Sequence, residues 1–200
     1  MSNPEIPQKL KLLAMAGSPR RGCNTDRLLN EAIAGAAGQG ILVKQVTLAD
    51  LDISPCQHCD ACIQLGGRCV IEDDMQQIHQ DIREFDRFII ASPVFFMGLT
   101  AQAKAMIDRC QALWVLKNVL NLRICLKTGP ARKGIFISAG GTGYTNLFQG
   151  SVATVKSWYK TLDIEYSGEL LLPGIDMCNA ITEHPAFLKE AFLLGQQLAN

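Results

Sequence analysis

The sequence predicts a doubly wound α/β domain: one parallel sheet of five strands with helices on both faces, three layers in all. Three observations carry that expectation. Strand-like runs alternate with helical patterns from one end of the 200 residues to the other. Several runs are apolar on consecutive residues, as strands covered on both faces must be. Neither an internal repeat nor a linker divides the chain, so residues 1–200 read as one domain.

The elements follow in order. Leu10–Ala16 is a nearly continuous apolar run that stops at Gly17, a first buried strand. A helix over 24–37 places Leu28, Leu29, Ala32, Ile33 and Ala36 on one face. Residues 41–48 read as the second strand. Residues 52–70 form a long irregular, cysteine-rich insertion. Asp73 opens the next helix, with Gln76 at capping-box spacing and Met75, Ile78, Ile82 and Phe85 in helical period. Phe88–Ala91 is the third strand. Thr100 caps one helix carrying Ala103, Met106, Ile107, Cys110, Leu113 and Trp114 on its apolar side. Gly134–Ser138 is the fourth strand. A helix at 150–162, a fifth strand at 166–172 and a helix at 184–198 complete the pattern.

Composition narrows the classes. Hydrophobic residues at 48% and charged residues at 19% exclude a disordered chain and argue against a fold that needs disulfides. Nineteen basic against 19 acidic residues leave no net charge, hence no global attraction to nucleic acid or an anionic membrane. No apolar run approaches the roughly 20 residues a membrane helix needs. The start lacks the pattern of a secretory signal, so a cytoplasmic location is expected.

Sheets of this kind bind ligands beyond the carboxyl ends of their strands. The loop after the first strand, Gly17-Ser-Pro-Arg-Arg-Gly-Cys-Asn-Thr25, leads into a helix N-terminus. Unpaired N–H groups and the helix dipole favour an anion there. Ser18, Asn24 and Thr25 offer hydrogen bonds and Arg20 a charged fork. Neither dinucleotide nor Walker glycines are present, so a phosphate monoester fits better than a pyrophosphate; a polar turn with an ordinary N-cap is the plainer reading. After the third strand, Ser92-Pro-Val-Phe-Phe-Met-Gly98 carries apolar side chains that need a cover, either a flat ring or the core itself. After the fourth, Ser138-Ala-Gly-Gly-Thr-Gly143 permits close approach of backbone to a ligand, or is a flexible turn.

Four of the eight cysteines fall in the pattern Cys56-x2-Cys59-x2-Cys62-x6-Cys69. Three thiols two residues apart can wrap one centre, with the fourth returning through Gly66-Gly67. The spacing resembles bacterial ferredoxin ligation of a four-iron four-sulfur cluster. Zinc, and thiols that hold no metal or are oxidised, are the alternatives. Cys110, Cys125 and Cys178 read as small hydrophobes. Cys23, at a helix N-terminus, stands apart because such a position can lower a thiol pKa. Lys127, Arg132 and Lys133 form a short basic stretch, either a solvated loop or a contact for an extra nucleotide phosphate. Asp108 and Arg109 read as structural, an ion pair beneath the site. No side-chain acid or base stands out.

Gly17-Ser-Pro-Arg-x-x-x-Asn-Thr25, then Ala91-Ser-Pro-Val-Phe-Phe96, then Lys104-x-x-x-Asp-Arg109, resembles the NAD(P)H-dependent FMN reductases of the flavodoxin-like superfamily. With the cysteines between these motifs, the chain looks like an iron–sulfur flavoprotein of that group. The resemblance runs from about Leu10 to Gly143. It departs at Cys23, commonly Gly, and at Phe95, commonly Tyr. It implies a flavodoxin-like sheet with FMN at its carboxyl edge. The phosphate would lie on Ser18, Arg20, Asn24 and Thr25, and the ring against Pro93, Val94, Phe95, Phe96 and Met97, with Ser138, Gly140 and Gly141 flanking. It implies Cys56, Cys59, Cys62 and Cys69 as ligands of a 4Fe-4S cluster, and a homodimer or homotetramer. Electrons would pass from a ferredoxin-like donor or NAD(P)H to a small acceptor. An NAD(P)H-dependent FMN or quinone reductase without a cluster, and a zinc-stabilised or redox-sensing module that is no enzyme, are the other readings.

Overall fold

A computed structural model describes residues 9–126 and 129–200. Lys127 lies outside the described residues. The strands are β1 (Lys11–Ala16), β2 (Leu42–Thr47), β3 (Arg87–Ala91), β4 (Lys133–Gly140) and β5 (Glu165–Pro173). All pair in parallel, in the order β2-β1-β3-β4-β5. The order reverses beside β1, which opens a crevice between the carboxyl ends of β1 and β3.

The helices are α1 (Asn24–Ala37), α2 (Ala61–Gln64), α3 (Met75–Glu84), α4 (Ala101–Arg109), α5 (Gln111–Asn118), α6 (Gln149–Thr161) and α7 (Pro185–Ala199). Alternation along each central strand builds two cores. Leu13, Met15, Phe88, Ile90 and Phe136 face α3 to α6. Leu12, Ala14, Ile89, Ile135 and Ile137 face α1 and α7. Every residue of β3 is buried, which is why its sequence shows no polar alternation. The outer strand β5 does alternate, and β2 has no fully buried residue. Among the described residues no helix is long and apolar enough to cross a membrane.

Three local expectations are corrected. The capping box at Asp73 does not form. The Asp73 carboxylate accepts the Met75 N–H at 3.0 Å, but Gln76 turns away to the carbonyls of Cys69 and Ile71. The helix after Thr100 is two helices, α4 and α5, meeting at Cys110, whose N–H bonds back three residues to Ile107. That change of direction leaves Trp114 40% exposed instead of in the core. Phe85 sits just past the end of α3, still buried.

His79 on α3 is buried, with Nε2 3.0 Å from the Arg109 carbonyl. Burial pushes its pKa down to about 4 from 6.5. The unfolded chain therefore takes up this proton first. The contribution is complete above pH 6.5 and is lost as pH falls toward 4, by about 3 kcal/mol in all. Urea unfolding of wild type and His79→Gln across pH 7 to 4 is expected to show a shallower loss in the variant. Parallel profiles would mean that His79 is not the group that titrates.

Candidate cofactor sites

The crevice has a rigid floor. Strand hydrogen bonding continues into the loops: Gly17 N–H to Ala91, Ser92 N–H to Ile137, Val94 N–H to Ala139 and Ile175 N–H to Gly140. Buried hydroxyls tie the same loops together. Thr100 Oγ1 donates to the Gly17 carbonyl at 2.6 Å and caps α4 by accepting the Ala103 N–H. Ser138 Oγ donates to the Ser92 carbonyl at 2.7 Å, and the Thr100 N–H reaches Ser92 Oγ. Loops that carry no regular structure are thereby fixed relative to one another.

Ser18, Arg20, Asn24 and Thr25 line one crevice with Pro93, Val94, Phe95, Gly140 and Gly141. Their roles differ. Ser18 is buried and folds the loop on itself, accepting the Arg20 N–H and donating to the Arg20 carbonyl. Gly22, at φ +67°, lets the chain turn so that its N–H meets the Asp26 carboxylate at 2.8 Å. Burial raises the Asp26 pKa, opposed by that N–H and by Arg21. The first-turn N–H groups of α1 open toward the crevice and have no acceptor within the helix.

Asn24 corrects an expectation. Its Nδ2 donates to the Met177 carbonyl at 2.9 Å and its Oδ1 accepts the Ile181 N–H, so the amide binds the segment after β5. The Arg20 guanidinium reaches the Asp176 carbonyl of that segment at 3.4 Å. Cys23 and Cys178 form a disulfide across the same junction, with Cα atoms 4.8 Å apart. Neither is the free thiol or small hydrophobe expected. The sequence held no signal for this pairing, because 155 residues separate the partners. Asp176 and Ile175 are crevice residues that the sequence reading missed. The strand-end rule applied to β5 would have found them.

The loop after β3 is a tight hairpin, with Phe95 and Gly98 exchanging both backbone hydrogen bonds. Its two central residues, Phe96 and Met97, have φ of +48° and +64°. Such turns favour Asn-Gly, and bulky residues there carry a conformational cost of about 1–3 kcal/mol each. The turn drives Phe96 entirely into solvent and leaves Phe95 and Met97 partly exposed. Phe96 and Met97 thus stand at the rim while Pro93, Val94 and Phe95 form the wall. Ser138 is fully buried and supports the loop from below rather than lining the crevice. Gly140 and Gly141 have a spatial reason. A Cβ on Gly140 would lie 2.9 Å from the Leu147 side chain, and one on Gly141 2.7 Å from that of Asp176. Small polar walls at the helix N-terminus and apolar walls beyond it suit a phosphate joined to a flat ring.

Cys56, Cys59, Cys62 and Cys69 line a second pocket, beside α5. His58 and Asp60 have φ of 49° and 57°, which coils the chain around Cys59, and Gly66 and Gly67 at +66° and +83° bring it back to Cys69. Gly67 backs onto Leu116 of α5. Burial raises the Cys62 pKa; a backbone hydrogen bond lowers it, and Cys69, Cys56 and Cys59 raise it further. Metal binding requires such a thiol as its thiolate, and a bound cation supplies the compensating charge. Among the described residues, no three His, Cys, Asp or Glu groups close on a single point. Cys110 is buried as expected, its pKa pushed up to about 12 by burial, and Cys125 is half-buried.

The basic stretch is not a nucleotide contact at Arg132. That side chain is buried and donates to the carbonyls of Phe85, Leu162 and Ile82. Asp108 and Arg109 do not pair with each other. Asp108 meets Lys104 on the surface at 2.7 Å, and Arg109 meets Asp73 in the interior at 2.6 Å.

Comparison with known proteins agrees with this geometry. The family model described as NADPH-dependent FMN reductase matches residues 10–143. An iron–sulfur flavoprotein of Methanocaldococcus jannaschii is 38% identical over 128 residues, which are 62% of this chain and 65% of that protein. One from Methanosarcina thermophila is 33% identical over 129 residues, 62% of this chain and 66% of its own length. The match thus spans just under two thirds of these relatives. Among solved structures, an NAD(P)H:quinone oxidoreductase from Methanothermobacter marburgensis superposes with a TM-score of 0.70 at 13% identity, over 96% of this chain and 98% of that one. An FMN-dependent NADH-azoreductase from Bacillus anthracis, in complex with FMN, gives 0.67 at 15%, over 95% and 100%. At such identities the structures establish a shared fold.

Proposed function

The chain belongs to the NADPH-dependent FMN reductase family, and from that premise we propose that it is an FMN-dependent oxidoreductase of the iron–sulfur flavoprotein kind. The observation that carries the flavin half is the crevice. One end is the N-terminus of α1 with Ser18, Arg20 and Thr25; the other is the apolar wall of Pro93, Val94 and Phe95. The first-turn N–H groups and Arg20 would hold the phosphate, and Asn24 would hold the loop that frames it. Gly140 and Gly141 line the crevice and would flank the ring. Bound there, a flavin supplies one-electron or two-electron transfer. The chain's part is to bind, orient and shield it. No side-chain acid or base is assigned.

The observation that carries the cluster half is the second pocket, which all four cysteines line. Paired, separated Cys-x2-Cys motifs are the commoner zinc pattern, whereas Cys56-x2-Cys59-x2-Cys62-x6-Cys69 on one segment has the spacing of ferredoxin-type 4Fe-4S ligation, which favours the cluster. Such a pairing of groups would join a one-electron donor of ferredoxin type, or NAD(P)H, to a small-molecule acceptor. Phe96, driven outward by a costly turn at the rim, is suited to contact a second copy in a homodimer or homotetramer.

The test is an anaerobic absorption spectrum of the purified protein, with flavin extraction and assays of iron and acid-labile sulfide. About one FMN and four irons per chain are expected. Colourless protein that takes up no added FMN would end the proposal. Flavin without iron and sulfide would remove its cluster half alone.

A further inference from the structure

We propose that Arg109 is a positioning residue of the cysteine pocket: its guanidinium fixes the ends of the insertion and sets a permanent positive charge against Cys69, raising the reduction potential of the group the thiols hold. The inference rests on the cluster reading of those thiols.

The geometry is that of a staple. Arg109, at the end of α4, is 1% exposed. It forks onto the Asp73 carboxylate, Nη1 to Oδ2 at 2.6 Å and Nη2 to Oδ1 at 2.9 Å. Nη1 also donates to the Ser54 carbonyl at 2.7 Å, and Nη2 to the Ile71 carbonyl at 3.2 Å. Ser54 precedes the first cysteine of the insertion, while Ile71 and Asp73 follow the last. One side chain therefore clasps both ends of the segment bearing the thiols. Gln76 reinforces the return strand through the carbonyls of Cys69 and Ile71.

Structure alone does not require a charge here. A buried ion pair contributes little net stability compared with a well-packed apolar pair, because both groups lose their hydration. Further, Nε is buried with no hydrogen-bond partner. Arg109 lines the same pocket as the four cysteines, and Cys69 is close enough to act on its charge. Hydrogen bonds and fixed charges around the sulfurs are the levers by which a protein sets a cluster's potential. Reduction adds one electron and makes the cluster more negative, so a facing cation favours the reduced form. Asp73 offsets part of that charge.

The two partners should therefore act with opposite sign. Wild type, Arg109→Gln, Arg109→Lys and Asp73→Asn are reconstituted anaerobically with iron and sulfide. Iron and sulfide are counted, and the cluster is titrated with dithionite, which supplies the electron, under paramagnetic resonance. Arg109→Gln is expected to lower the equilibrium constant for reduction about tenfold, or about 59 mV. Arg109→Lys should retain most of the wild-type value, and Asp73→Asn should shift it upward. Shifts of the same sign at full iron content, or none, would overturn the inference, since a merely structural clasp predicts no opposition. If Arg109→Gln does not fold, the upward shift in Asp73→Asn decides, and its absence overturns the inference. Wild type that takes up no iron and sulfide would instead overturn the cluster reading, and this inference with it.

Discussion

Replacing Cys62 by serine is expected to remove at least nine tenths of the bound iron and sulfide while leaving the FMN content unchanged. Serine keeps the size of the side chain but exchanges a soft, polarisable sulfur for a hard oxygen, a poor ligand for an iron–sulfur cluster. Cys62 lies on the short α2, where burial and the three neighbouring thiols all disfavour its charge in the metal-free chain. A bound cation would supply the charge that this environment lacks. The flavin should stay, because the two pockets share no residue. Cys62 also lies outside both cores, so folding should be little affected. The check is iron, sulfide and flavin per chain after anaerobic reconstitution, with Cys110→Ser as comparison. Cys110 is buried among core side chains, so its substitution should cost stability rather than iron. Full iron in Cys62→Ser would refute the assigned ligand set. Flavin lost together with iron would refute the independence of the two sites.

What the sequence disclosed, and what it withheld, follow a physical division. Local periodicity and spacing were readable. The apolar face of α1 was found in Leu28, Leu29 and Ala32 because helical period alone determines it. The four cysteines that line the second pocket were readable because they lie on one short segment. The crevice walls at Ser18, Pro93 and Gly140 were found because strand ends in such a sheet must converge. Interactions between distant segments left no comparable trace. Nothing local marks Cys23 for Cys178, or Asn24 for the carbonyl of Met177. Arg109 looked structural, and its true partner Asp73 lies 36 residues away. Arg132 looked like surface charge, since basic residues before a strand are usually solvated, yet three carbonyls at the ends of other elements receive it. Trp114 was misplaced because the break at Cys110 interrupts an otherwise continuous helical pattern.

Gly195→Ala is expected to destabilise the fold by about 3 kcal/mol or more, although helix propensity alone favours alanine by about 0.5–1 kcal/mol. The reason is the crossing of α7 over α1. A Cβ at position 195 would lie 1.9 Å from the Ala32 carbonyl oxygen, and one at Gly35 would lie 2.0 Å from the Phe192 carbonyl oxygen. Both obstacles are backbone, so no side chain can rotate away. Two whole helices must separate, and the buried side chains of that layer, Leu28, Ala32 and Ala191 among them, lose contact with it. The effect should reach the cofactor, since α1 carries the N-terminus that faces the crevice. Gly143→Ala is the proper comparison, because nothing lies within 4 Å of its added carbon. Urea unfolding should show a clear fall in midpoint for Gly195→Ala and almost none for Gly143→Ala. FMN affinity should weaken in the former as α1 shifts. A Gly195→Ala protein at least as stable as wild type would mean that propensity outweighs packing at the crossing, and that α1 and α7 lie farther apart than the glycines require.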